Sequence, residues 1–323
     1  MKKIIAIVLT LLMVTTLMVG CGDKAAPSAE MRVAGLKGPT TMGLVKVIED
    51  DKNGETHNDY TFTVAGTADE ITPLLLKGEL DFAAVPANLA SVLYNRSEGE
   101  IVTLAVNTLG VVYIVEKGDT IADLSDLKGK TIYATGQGST PEYALRYILK
   151  ENGIDPDKDV DLQFKSQPDE IVALLKTAKD GVAMLPQPYV TVATGNVEGL
   201  EVKIDLTKEW EKLDTDSMFI TGVLVGRRSF IEENEEAVAK FLEEYKASTE
   251  YVNANVEEAA ALVESVGIIK AAVAKKAIPF CNITYIEGKE LKTALAGYLQ
   301  VLYDLNPKAV GGKLPGDDFY YEK

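Results

Sequence analysis

The chain has 323 residues, of which 46% are hydrophobic and 25% charged, an ordinary globular composition. Its net charge of −16, with no basic cluster, disfavours nucleic-acid binding, because that function needs a positive surface. Two cysteines exclude a disulfide-stapled scaffold. A single histidine, His57, leaves no room for a His-rich metal site, so we predict no metal and no cofactor, and the composition disfavours an enzyme.

The amino terminus has the order of parts that is typical of a secretory signal peptide. Lys2 and Lys3 precede an apolar stretch over residues 4–19, which is too short for a confident membrane span, and a small residue, Gly20, ends it. We therefore predict a signal peptide over residues 1–20. Residues 21–29 are mostly small or polar and are interpreted as a flexible tether.

Beyond Glu30, short β-rich runs alternate with amphipathic helices, which predicts an α/β architecture. In the first third, a capping-box pattern at Thr67 and Glu70 competes with Pro73 as the start of a helix. Strands are predicted over residues 31–36, 60–64, 80–85 and 101–106, and helices over 41–49, 72–77 and after 88.

The same alternation continues through the middle of the chain. Strands are predicted over residues 111–116, 131–134, 181–185, 202–204 and 219–225, and helices over 124–127, 139–152 and 171–178. The helix after Gly136-Gln-Gly138 is the best signalled, because Ser139 and Glu142 form a capping-box pattern and Pro141 suits the first turn. From Glu232 onward the pattern is mostly helical.

Two sets of motifs point to a family. Leu17-Met-Val-Gly-Cys21 resembles the lipobox of bacterial lipoproteins, which implies a diacylated Cys21 and a lipid anchor on the extracytoplasmic face of the cell membrane; the alternative is an ordinary signal peptide with Cys21 incidental. Five later stretches, in order and spacing, resemble the substrate-binding lipoproteins of ABC importers, in the nitrate, sulfonate and taurine branch that also includes binders of thiamine-pyrimidine precursors. They are Asp81–Asn88, Asp126–Thr131, Gly136–Pro141, Leu185–Tyr189 and Phe219–Val225.

That resemblance implies the type II periplasmic-binding-protein fold, with two Rossmann-like lobes joined by a two-strand hinge near residues 110–115 and 222–226. Lobe one is then expected over residues 30–111 plus 224–323, and lobe two over 112–223. The ligand is expected between the lobes.

The loops that follow strands are the candidate binding site, because ligands of open α/β sheets sit beyond the carboxyl ends of the strands. The loop at residues 136–140 is the strongest candidate, since a helix amino terminus attracts anions. For each loop the alternative is helix capping with nothing bound. The predicted ligand-binding residues are Lys37, Gly38, Pro39, Thr40, Thr41, Asn88, Asn107, Gln137, Gly138, Ser139, Thr140, Gln187 and Pro188.

The predicted function is capture of a small polar or mono-anionic nutrient by a monomer that delivers it to an ABC permease and its ATPase subunit. Lys37 is the one positive side chain among the predicted ligand-binding residues, and the choice between a sulfonate-like and a pyrimidine-like ligand stays open. The alternatives are a sensory ligand-binding module and a secreted enzyme. An enzyme is disfavoured because His57 and Cys281 lie outside the loops, and Trp210 is interpreted as local packing more than as a ligand-stacking ring.

Overall fold

A computed structural model describes residues 27–213, 215 and 217–322. The predicted signal peptide, Cys21 and most of the predicted tether lie outside the described residues. Eleven β-strands are found within them. They are β1 (Glu30–Leu36), β2 (Asp59–Ala65), β3 (Phe82–Pro86), β4 (Ile101–Leu109), β5 (Val112–Lys117), β6 (Thr131–Ala134), β7 (Asp161–Phe164), β8 (Gly181–Pro186), β9 (Leu200–Asp205), β10 (Ile220–Arg227) and β11 (Ile283–Ile286).

The helices alternate with these strands until residue 227 and then dominate the carboxyl-terminal part. They are α1 (Pro39–Met42), α2 (Val45–Asn53), α3 (Ala68–Leu76), α4 (Ala87–Arg96), α5 (Thr140–Glu151), α6 (Pro168–Thr177), α7 (Tyr189–Asn196), α8 (Leu206–Glu211), α9 (Arg228–Glu233), α10 (Glu235–Ala254), α11 (Val256–Ser265), α12 (Ala271–Ala277) and α13 (Gly288–Leu305). Short 3₁₀ turns occur over Leu124–Leu127, Ile278–Phe280, Pro307–Val310 and Asp317–Phe319.

The strands form two separate sheets. The first has six strands in the order β11-β4-β10-β3-β1-β2, and the second has five in the order β7-β6-β8-β5-β9. In the first sheet β1 pairs in parallel with β2 and β3, whereas β10 runs antiparallel between β3 and β4. In the second, β6 is parallel to β7 and β8, and β5 is antiparallel to β8 and β9. Each sheet with its helices is a lobe, so the predicted α/β fold with two lobes is confirmed.

The chain passes between the two lobes at two places. It leaves the first sheet after β4, enters the second at β5 across two residues, and re-enters the first at β10. Beside these crossings, Trp210 of the second lobe packs on Phe219 and on Tyr298 of α13 in the first, with ring centroids 5.4 Å apart in both pairs. Trp210 is 1% exposed, so local packing describes it and ligand stacking does not.

The helix predicted over residues 41–49 is wrong in one respect, because the structure breaks it into α1 and α2. Gly43 lies at the break, and a β-carbon there would come within 2.9 Å of Thr249 Oγ1 on α10. Ser248 of α10 accepts from the backbone N–H groups of Lys46 and Val47, at 3.2 and 3.3 Å, and donates to Gly43 O at 2.7 Å. A side chain about 200 residues later in the sequence therefore stabilises the new helix start.

Several other helices and strands differ from those predicted from the sequence. Helix α3 begins at Ala68 and tolerates Pro73 inside it, with Thr67 N–H donating to Glu70 at 2.8 Å, so the capping box sets its start. Strand β11, helix α7 and the edge strand β7 were not predicted. Within residues 27–213, 215 and 217–322, no helix combines the length and the apolar character needed to cross a membrane.

Candidate ligand-binding cleft

A cavity of about 190 Å³ lies where loops of the two lobes meet. The ends of β1, β3 and β8, the start of α5 and the crossing between β4 and β5 contribute its wall, which matches the edge at which α/β sheets bind ligands. It is lined by Leu36, Lys37, Gly38, Pro39, Thr40, Pro86, Thr108, Val111, Val112, Ser139, Thr140, Pro141, Pro186, Gln187, Tyr189 and Thr221.

The loop between β1 and α1 supplies one side of the cavity. Lys37, Gly38, Pro39 and Thr40 line it, and Lys37 carries the one charge among the described lining residues. Thr41 does not line it. Its side chain is 2% exposed, and its hydroxyl donates to Leu36 O at 2.6 Å, which ties α1 to the end of β1.

Two predicted amides also point into the protein. Asn107 is 1% exposed, and its Nδ2 donates to Thr40 O at 3.2 Å while its Oδ1 accepts from Thr108 Oγ1 at 3.0 Å. Asn88, at 5% exposure, donates to Ala309 O at 3.2 Å and to Gly138 O at 3.4 Å, and it accepts from Thr140 Oγ1 at 3.1 Å. Neither amide lines the cavity, although their neighbours Thr40, Thr108 and Thr140 do.

The loop before α5 is divided between cavity and solvent. Ser139 and Thr140 line the cavity, whereas Gln137 and Gly138 are exposed and do not. The Ser139 side chain makes no capping hydrogen bond, so the predicted capping box does not form. Instead, Gly138 N–H donates to Glu142 Oε2 at 2.7 Å.

The Glu142 carboxylate disfavours binding of a second anion at the amino terminus of α5, because it already occupies one N–H group there. Glu142 is 9% exposed, and its Oε1 forms a salt bridge with Arg146 Nε at 2.8 Å. A carboxylate at a helix amino terminus satisfies an N–H group and the positive helix end together. The cavity therefore meets α5 through the Ser139 and Thr140 side chains, beside a helix start that is already partly neutralised.

The loop between β8 and α7 contributes one of its two predicted residues and the residues on either side of it. Gln187, at 5% exposure, lines the cavity, and its Oε1 accepts from Thr191 Oγ1 at 2.9 Å, which leaves its amide NH₂ group for a ligand. Pro188 is buried and does not line the cavity, but Pro186 and Tyr189 on either side do. Partial burial raises the pKa of Tyr189, so its phenol stays protonated at neutral pH.

Sequence reasoning did not single out the valines at the crossing or Thr221. Val111 and Val112 line the cavity because the chain passes between the lobes there, and Thr221 reaches it from β10, where its hydroxyl donates to Leu109 O. Local patterns gave these residues no polar or turn signal. Only their position between two non-adjacent parts of the chain makes them part of the wall.

The two candidate groups for catalysis lie apart from the cavity. His57 is near Pro27 O, at 3.3 Å from Nε2, and does not line the cavity. Cys281 is fully buried in an apolar cluster, and this burial raises the pKa of its thiol, which makes it a poor nucleophile. In the described part of the chain, no group of His, Cys, Asp and Glu side chains is arranged to hold a metal ion.

Fold and cleft together place the molecule among proteins with the type II periplasmic-binding-protein fold, which has two α/β lobes around a central cleft. More particularly, the chain belongs to the NMT1/THI5-like family, whose sequence profile matches residues 62–259. The resemblance stated from the five motifs is thereby confirmed. No curated protein sequence matches the chain.

Solved structures agree with this placement. The chain is similar to an ABC transporter from Parabacteroides distasonis, at 26% identity and a TM-score of 0.76, covering 93% of this chain and 100% of that one. It shares its fold with the periplasmic aliphatic sulphonate binding protein SsuA from Escherichia coli, at 17% identity and a TM-score of 0.72, covering 92% and 93% of the two chains. The same holds for the periplasmic nitrate-binding protein NrtA from Synechocystis, at 14% identity and a TM-score of 0.59, covering 83% and 76%.

Proposed function

We propose that this protein is the extracytoplasmic solute-binding component of an ABC importer, which holds a small nutrient between its lobes and delivers it to a membrane permease. The observation that carries this proposal is the cavity, because its wall is shared between loops of the first lobe and loops of the second. A ligand that touches both walls stabilises the closed arrangement relative to the open one, and a permease can recognise that difference.

The lining favours binding over catalysis. The described residues around the cavity offer hydroxyls, one amide, one phenol and one ammonium group, but no His, Cys, Asp or Glu side chain. General acid–base and nucleophilic catalysis usually draw on those side chains. Hydroxyls and amides can instead both donate and accept, which suits recognition of a polar solute without reaction.

Cavity size and charge narrow the ligand. A volume of about 190 Å³ is below that of pockets for drug-sized molecules, which begin at about 300 Å³. Lys37 supplies a single positive charge, so a polyanion would remain largely uncompensated. We therefore assign a small neutral or mono-anionic polar solute. The sulphonate and nitrate named for the two distant structural neighbours fall in this class, and so does a small heterocycle that could lie against Tyr189.

The assembly part of the proposal rests on the amino-terminal sequence. A signal peptide over residues 1–20, acylation of Cys21 and a tether over residues 21–29 would hold a monomeric receptor at the outer face of the membrane, beside the permease and its ATPase. Lobe one would comprise residues 30–111 and the carboxyl-terminal part predicted over 224–323, extended to the start of β10 at Ile220, and lobe two the residues between these parts.

Mass spectrometry of the compound that copurifies with the protein, followed by titration of that compound, tests the proposal. If the compound is a mono-anion, Lys37→Gln should weaken its affinity about tenfold or more, because a hydrogen bond to a charged group contributes about 1.5–3 kcal/mol. Lys52→Gln is the matched control, since Lys52 is an exposed lysine of the same lobe on α2, away from the cavity. Equal losses in the two variants, or chemical conversion of the compound, would contradict the assignment.

A further inference from the structure

Asn88 forms hydrogen bonds between the two lobes at a position outside the cavity wall. It lies in the first turn of α4 in the first lobe, and its polar partners Gly138 and Thr140 belong to the second lobe. The Thr140 hydroxyl donates to Asn88 Oδ1 at 3.1 Å, and Asn88 Nδ2 donates to Gly138 O at 3.4 Å. One buried side chain therefore both donates and accepts a hydrogen bond across the gap between the lobes.

These hydrogen bonds join protein groups of the two lobes directly. Asn88 is 5% exposed and is not among the residues that line the cavity. Its carboxamide already has protein partners on both the oxygen and the nitrogen, so a bound solute would find little of it left to contact. When the lobes separate, both partners in the second lobe are lost, while the lobes still hold together through the two crossings.

The carboxyl-terminal segment after α13 fixes the orientation of this amide. Ala309 O, in the 3₁₀ turn Pro307–Val310, accepts from Asn88 Nδ2 at 3.2 Å. The turn is itself held on α4, because Ser91 Oγ donates to Val310 O at 2.8 Å and Asn95 Nδ2 donates to Val310 O at 2.9 Å. The segment thus holds the Asn88 side chain in place for the opposite lobe.

We propose that Asn88, oriented by the Pro307–Val310 turn, is a positioning residue that biases the lobes toward closure even when the cleft is empty. The inference rests on the proposed function in one respect, that the lobes open and close. Only the closed form presents both walls of the cavity, so the apparent affinity scales with the fraction of closed molecules. Asn88 therefore raises affinity for a solute that it does not touch.

The test compares Asn88 with Asn253, an asparagine of α10 in the same lobe. Asn253 Nδ2 donates to Ile283 O at 2.8 Å within that lobe and does not contact the Pro307–Val310 turn, whereas Asn88 bonds across the gap. Nitroxide labels on cysteines introduced at Lys52 in the first lobe and Lys176 in the second report the interlobe distance in ligand-free protein, since both lysines are exposed. Cys281 is buried and does not react, and Cys21 is replaced by serine.

Asn88→Ala should lower the closed-to-open ratio about tenfold, because it removes both cross-lobe hydrogen bonds of Asn88, and Asn253→Ala should leave the distance distribution unchanged. Thr140→Val keeps the side-chain volume and removes only the bond between Thr140 and Asn88, so it should lower the ratio about threefold and serves if Asn88→Ala does not fold. Wild-type distances in both Asn88→Ala and Thr140→Val, or an equal shift in Asn253→Ala, would overturn the inference. Failure to bind any solute would contradict the proposed function. The ligand-free distances would still confirm or overturn the role of Asn88, because they are measured without a solute.

Discussion

Gly222 of β10 shows how tightly single residues pack beneath the cavity. A β-carbon at this position would lie 2.4 Å from Thr40 Cγ2 and 2.6 Å from Asn107 Oδ1, well inside van der Waals contact. Thr40 lines the cavity, and Asn107 supports it by donating to Thr40 O. The missing side chain of Gly222 therefore lets the loop between β1 and α1 settle onto β10, and the position of Thr40 depends on it.

Gly222→Ala should displace this loop and lower both stability and affinity. Overpacking in a close-packed site costs about 1–3 kcal/mol of unfolding free energy, to be measured by urea denaturation. Gly195→Ala is the matched control, because a β-carbon there meets nothing within 4 Å and Gly195 lies in helix α7. It should be neutral or slightly stabilising. Equal unfolding free energies for the two variants would show that the contacts at Gly222 relax without cost.

At the residue scale, the sequence predicted which loops reach the cavity better than which of their side chains line it. Lys37, Thr40, Ser139 and Gln187 line the cavity, as expected from their places after strands. Thr41, Asn88 and Asn107 are also polar and also follow strands. Their side chains, however, form hydrogen bonds with backbone carbonyl groups or with neighbouring threonine hydroxyls, and they do not line the cavity. A polar side chain next to a cavity can satisfy itself within the protein, and the sequence pattern carries no sign of which way it turns.

At the scale of elements, the start of α5 contributes Ser139, Thr140 and Pro141 to the cavity wall. Glu142 sits in its first turn and accepts from Gly138 N–H, while Glu151 is its last residue. The helix dipole makes a negative charge favourable at the first position and unfavourable at the second. The two carboxylates of one helix should therefore contribute to stability with opposite signs.

Glu142→Ala should lower the free energy of unfolding by about 1–2 kcal/mol, since it removes the N–H acceptor, the favourable charge and the partner of Arg146. Glu151→Ala on the same helix should leave stability unchanged or raise it by a few tenths of a kcal/mol. Thermal unfolding of both variants followed by circular dichroism decides the matter. A loss of stability in Glu151→Ala as large as that in Glu142→Ala would contradict this account of the helix start.

Elements with local signals were predicted well, and those that depend on tertiary contacts were not. Thr131–Ala134 and the helix after Ser139 have clear patterns, and both occur where predicted. The break between α1 and α2 was missed because Ser248, far along the chain, supplies the acceptor that starts the second helix. Strand β11 was missed because its pairing with β4 occurs inside a mostly helical stretch of sequence.

At the scale of the whole molecule, the cleft exists because two sheets built from interleaved parts of the chain face each other. The alternation of strands and helices predicted the α/β class, and the family resemblance carried by the five motifs implied two lobes. No local pattern could place Val111, Thr221 and Tyr189 around one cavity, since they come from a crossing, a returning strand and a helix start. Their meeting is a property of the topology.

The central claim is that one small solute contacts both lobes at once, and hydrogen–deuterium exchange with and without the copurified compound tests it most directly. Bound solute should slow amide exchange together in residues 36–40 of the first lobe and in residues 139–143 and 187–191 of the second. Exchange in the outer helix α11 should not change, because it lies away from the cavity. Slowing confined to one lobe, or no slowing at all, would contradict the account.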